Sequence, residues 1–166
     1  MIGTANIKTS IVQDVLDNTV KLRRPPIGLN YVAYAVETYP DDAKGQTGLL
    51  ILGRSYNHKY LKQLLGRFSG PGATPEEQIS LWEQLLPKVH YALTALDNEL
   101  VRTGLGENVR VVLDVDMGGY FYHRVNSHTI LFGATLDQAQ INNGQCDREM
   151  KQMFTELQAV FTAHGA

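Results

Sequence analysis

Two histidines, His123 and His128, flank a predicted Asn126-Ser127 turn. In the strand register derived below they share one face, on a diagonal between neighbouring strands. A metal there needs at least a third ligand in reach. No spacing in the chain supplies one, so the pair reads as structural. Asp114 and Asp116 alternate along a strand and so share a face. Paired carboxylates in a cleft do acid–base work. With Arg110, Tyr122 and Arg124 beside them, these two read instead as a solvated cross-strand charge pattern. The same charges guard an edge strand against stray pairing. Cys146 offers a nucleophile or an attachment point for a chromophore, but it falls on the apolar stripe of a helix. A thiol there behaves as a small buried hydrophobe. Ser69 to Thr74 opens onto a helix start, a place where anions bind, yet Glu76 and Glu77 already occupy that positive end. Neither phosphate-loop nor dinucleotide glycine motifs occur in a fitting context. No catalytic, cofactor-binding or metal-binding set emerges.

The bulk numbers bound the class of protein. The 166 residues fit one domain, 1–166, large enough to bury a core without staples. A net charge of -2 leaves no electrostatic footprint for nucleic acid or an anionic membrane. The single cysteine forbids an intrachain disulfide. The first ten residues lack the basic and apolar stretches of a secretory signal. No apolar run approaches the roughly 18 residues of a spanning helix. Cytoplasm is the expected compartment.

The elements that must position these residues can be read in order. Ile7, Ile11, Val12, Val15, Leu16 and Val20 predict a helix that Pro25 and Pro26 stop by about Leu22. Leu29–Val36 and Leu49–Leu52 are uninterrupted apolar runs, predicting an antiparallel pair of strands near the sheet centre. Asn57–Phe68 predicts a short helix. Thr74, Pro75 and Glu77 then open a long one in capping order. Its stripe is Ile79, Trp82, Leu86, Val89, Leu93, Leu96 and Leu100, with steps alternating three and four. Pro87 predicts a kink or a break, and Gly104 and Gly106 the end. Cys146, Met150, Met153, Phe154, Leu157 and Phe161 predict a closing helix.

Val109–Phe132 reads as a three-strand meander. A three-residue first turn, with Gly119 in a left-handed bulge, sorts its faces most cleanly. One face is then Val111, Leu113, Val115, Phe121, His123, Val125, Ile130 and Phe132. The other carries Arg110, Val112, Asp114, Tyr120, Tyr122, Arg124 and Leu131, an amphipathic aromatic surface that is the candidate interface. The expected class is α/β (α+β), a mixed or antiparallel five-stranded sheet with helices on its faces, in the order α-β-β-α-α-β-β-β-α.

That order, with VRVVLDVDMGGYFYHRV around a glycine turn and HTILFGATLDQAQINNG leading to the last helix, resembles the Roadblock/LC7 family of profilin-like sandwiches. The similarity is strongest over residues 107–161. The chain is longer than typical members, with extra residues at 37–46 and 54–73. The resemblance implies a non-enzymatic scaffold or regulator of small GTPases. It also implies a homodimer formed through the third strand, here Val109–Val115, and the preceding helix, here Ile79–Leu100. It brings no catalytic set and no cofactor. A small-molecule sensor of PAS/GAF type is the alternative, with His123, His128 and Tyr34 as its polar contacts. A small enzyme ranks behind both.

Overall fold

Leu29–Val36 carries no charge because it runs through the interior of a sheet. The computed structural model describes residues 24–38, 48–67, 74–126 and 128–163. The helix expected at 7–22 and the SGPGA loop at 69–73 lie outside them, as does most of the loop at 37–46. The strands are β1 (Tyr31–Thr38), β2 (Gly48–Tyr56), β3 (Arg110–Val115), β4 (Gly118–Arg124) and β5 (Thr129–Thr135). The helices are α1 (His58–Leu65), α2 (Pro75–Arg102), α3 (Gln138–Asn142) and α4 (Gln145–Ala163). The sheet order is β2-β1-β5-β4-β3, and every neighbouring pair is antiparallel. The expected α+β class therefore holds. Residues 29–36 are all buried, since β1 has strands on both sides and helices on both faces. β2 was expected near the centre; it lies at one edge, and β3 forms the other.

Side chains of the sheet feed two separate cores. On one face Tyr31, Ala33, Tyr120, Tyr122 and Phe132 pack under Ile79, Trp82, Leu86, Val89 and Leu93 of α2. Tyr31 stacks on Trp82 with ring centroids 6.2 Å apart. On the other face Val32, Tyr34, Phe121 and Leu131 pack against Cys146, Met150, Met153, Leu157 and Phe161 of α4. α2 runs unbroken across Pro87. Pro87 sits on the exposed side, where the carbonyl it deprives of a donor can turn to water. Gly104 (φ 82°) and Gly106 (φ 79°) follow the helix in the left-handed region, as expected. α3 was not foreseen. Asp137 caps it through a hydrogen bond from the Ala139 N–H.

The meander register differs from the expected one. Val115 pairs with Gly118, so the first turn holds two residues, Asp116 and Met117. Gly119 is not a left-handed bulge. Both glycines are there for close approach. A Cβ on Gly118 would lie 2.0 Å from the Thr135 carbonyl oxygen, and one on Gly119 would lie 2.9 Å from Ile141 Cδ1. Leu113 consequently faces Tyr120, and Val111 faces Tyr122. Direct cross-strand partners share a face, so a slip by an odd number of residues exchanges the faces of one strand. The two tyrosines join the odd residues of β3 on the α2 side. Arg110, Val112 and Asp114 join Phe121, His123 and Leu131 on the other.

The entry to β1 is fixed by one carboxylate. Glu149 of α4, 2 % exposed, accepts from the backbone N–H groups of Ile27 (2.7 Å), Gly28 (2.9 Å) and Leu29 (2.9 Å). Asn30 Oδ1 accepts from Leu136 N–H at 2.7 Å and ties the same segment to the end of β5. Bonds to a buried carboxylate are short and about twice as strong as neutral ones. Glu149→Gln puts a donor among these donors and should lower the unfolding free energy by about 2–4 kcal/mol in chemical denaturation. An unchanged midpoint would show that the segment needs no such anchor.

Candidate functional site

Thr74 Oγ1 accepts from the Glu77 N–H at 3.2 Å and Pro75 starts the helix, so α2 begins where its capping residues place it. Its buried stripe runs from Ile79 to Leu93 but does not continue as expected. Leu96 is 49 % exposed, and Asp97 is buried in its stead. Asp97 accepts from Arg124 Nη2 at 3.1 Å and from the Asn108 N–H at 2.6 Å, which draws the chain between α2 and β3 under the end of the helix. Glu83 pairs with Arg54 of β2, so that flank of α2 faces β2. At about 100° per residue, Leu81, Leu85 and Leu96 lie on the opposite flank. They are 39 %, 38 % and 49 % exposed.

β3 and the residues beside it also carry uncovered apolar side chains. Val109, Val112, Leu113, Val115 and Met117 are all exposed large hydrophobics. The Arg124 N–H donates to the Val109 carbonyl at 2.8 Å. Main-chain groups alternate in direction along a strand. Odd residues of β3 therefore address β4, and Arg110, Val112 and Asp114 aim their N–H and C=O groups away from the sheet. Among the described residues the result is an edge with no strand paired to it and with apolar side chains on both faces. A long edge of this kind is a template for pairing unless it is covered.

The candidate interface read from sequence does not form one patch. Tyr120, Tyr122 and Leu131 are buried, the tyrosines under α2 and Leu131 under α4. Tyr120 donates to the Trp82 carbonyl at 3.4 Å. Tyr122 Oη lies 2.8 Å from His90 Nδ1, and His90 Nε2 lies 3.2 Å from Glu37 Oε1. The hydrogen bond to His90 holds the Glu37 carboxyl below its usual range, and His128, 3.6 Å away, adds to this. Arg124 is engaged with Asp97. Arg110, Val112 and Asp114 remain together on the exposed edge. Sequence reasoning did not single out Leu81 and Leu85 within the helix, and it placed Leu113 and Val115 on a helix-covered face, whereas both are exposed. The signal for the first two was present: with Ala92 and Leu96 they make a second stripe beside the first.

The other candidates are dispersed. His123 faces α4, 5.9 Å from the Phe154 ring, and His128 sits beside Glu37, so the two histidines do not converge. Burial pulls His123 down to about 4 and pushes the Cys146 thiol up to about 12, which makes the latter a poor nucleophile. Asp114 stands on the exposed edge, and Asp116 lies in the turn that follows it. Between β2 and α2 a groove of about 500 Å3 is lined by Arg54, Tyr56, Glu76, Ile79, Ser80 and Glu83. The Arg54–Glu83 ion pair bridges it, unlike the apolar enclosures that hold small ligands.

The fold has counterparts among solved structures. MglB of Myxococcus xanthus is 10% identical with a TM-score of 0.52, over 93% of this chain and 86% of that one. The gliding protein MglB of Thermus thermophilus is 16% identical with a TM-score of 0.52, over 91% of this chain and 88% of that one. No family model and no curated protein matches the sequence. The likeness shows the fold, a five-stranded antiparallel sheet with helices on its faces, the α+β class expected from the order of elements.

The buried histidine sets a pH dependence. His123 binds a proton at 6.5 when unfolded and at about 4 when folded. The unfolded chain therefore holds more protons between these values, and stability is lost as pH falls through that window, by up to about 3 kcal/mol. Glu37 is depressed in the fold, so its share is present above 4.5 and disappears below. Denaturation at stepped pH should show both windows, and His123→Leu should flatten the upper one alone. A wild-type profile flat from pH 6.5 to 4 would refute the assignment.

Proposed function

We propose that this protein is a non-enzymatic regulatory module of Roadblock type that works as a pair of identical subunits and acts on a small GTPase or another signalling partner. The observation that carries this reading is the exposed apolar side chains of β3 together with those of the Leu81/Leu85/Leu96 flank of α2. They belong to the strand and helix through which the family resemblance implies pairing. A two-fold contact buries one patch against itself, and an edge with both an open ladder and apolar side chains suits that use. The GTPase half of the reading is supported by the resemblance to Roadblock/LC7 domains. A cytoplasmic setting is part of the proposal; among the described residues no helix is long and apolar enough to cross a membrane.

Light scattering coupled to sizing should give twice the chain mass. Leu96→Lys and Val115→Lys change residues already 49 % and 55 % exposed. They should leave the circular dichroism unchanged and shift the protein to monomer, by at least about tenfold in dissociation constant each, because a buried lysine must be desolvated at the contact. A wild type that stays monomeric at high concentration overturns the pairing. Failure of a panel of purified small GTPases, GDP- or GTP-loaded, to bind or change hydrolysis rate overturns the partner.

A further inference from the structure

We infer that two copies pair β3 against β3 in one particular register, with the two-fold axis at Val112 and Arg110 of each copy opposite Asp114 of the other. This rests on the pairing proposed above and specifies it.

If both α2 helices are to lie on the same side of a joined sheet, opposed residues must share a face. Even residues then meet even ones, and odd meet odd. The outward main-chain groups of β3 belong to the even residues Arg110, Val112 and Asp114, so these make the new ladder bonds. Few two-fold arrangements satisfy both conditions. With the axis at Val111, Arg110 meets Val112 and Asp114 meets Asn108. With the axis at Leu113, Val112 meets Asp114 and Arg110 reaches only Asp116 in the turn. An axis at Arg110 or Asp114 opposes a charge to its own copy. With the axis at Val112, Arg110 meets Asp114 twice and Val112 meets itself. On the helix side Val111 then meets Leu113, and Val109 meets Val115.

That register matches every unlike charge within the strand and leaves only apolar pairs elsewhere. RVVLD carries opposite charges at equal distances on either side of its central valine. The same charges act against the alternatives, since a slipped register opposes like charges or sets a charge on an apolar residue. Arg110 and Asp114 are both exposed in the single chain, which leaves them available to a second copy.

Dissociation constants from dilution light scattering of the full chain test this. Arg110→Asp and Asp114→Arg should each weaken pairing by about tenfold or more, because every change acts at two symmetric contacts. The double variant R110D/D114R should return to within about threefold of wild type. Val112→Cys should oxidise to a disulfide-linked dimer faster than Val111→Cys or Leu113→Cys, since only the axial residue faces itself. The native Cys146 is buried and does not compete. Single variants without effect, a double variant no better than the singles, or fastest cross-linking at 111 or 113 overturns the register while pairing itself stands. A monomeric wild type removes the pairing and the register together.

Discussion

A hydroxyl, an imidazole and a carboxylate in a row decide what this molecule leaves uncovered. Tyr122 of β4, His90 of α2 and Glu37 of β1 join the long helix to two strands within its own core. Arg54 and Glu83 hold the same side of the helix toward β2. Arg124 and Asp97 hold its C-terminal end. Together these polar ties link α2 to β1, β2 and β4. None of them draws its other flank down, and among the described residues β3 has a strand neighbour on one side only. What stays open is a consequence of where the polar groups sit, because unpaired buried polar atoms cost more than exposed leucines.

Much of the architecture was legible in the sequence. Capping residues, glycines past the helix end and three-four spacing placed α2, and uninterrupted apolar runs placed β1 inside the sheet. The register of the meander was not legible. Pattern sorting favoured a turn that gathered charges on one side, whereas the glycines answer to the Thr135 carbonyl and Ile141, which are distant in sequence. An amphipathic aromatic face built from Tyr120 and Tyr122 therefore dissolved, since both rings belong to the core under α2. The role of Asp97 was hidden for a similar reason. Its partners Asn108 and Arg124 are brought to it only by the fold.

What remained of the candidate interface is the alternating stretch from Arg110 to Asp114. Exposed ion pairs contribute little to stability, and edge charges usually repel stray strands. A two-fold partner changes that balance. It brings a complementary charge to each end of the same short strand, so a modest interaction can select one register among several that are alike in apolar content.

Residue-resolved amide exchange across a range of protein concentrations tests the central claim most directly. If β3 is the contact between two copies, the odd amides from Val111 to Val115 are protected by β4 at every concentration. The Arg110, Val112 and Asp114 amides then gain protection as the concentration rises. Even amides that exchange freely at concentrations where the protein is fully paired would contradict the account.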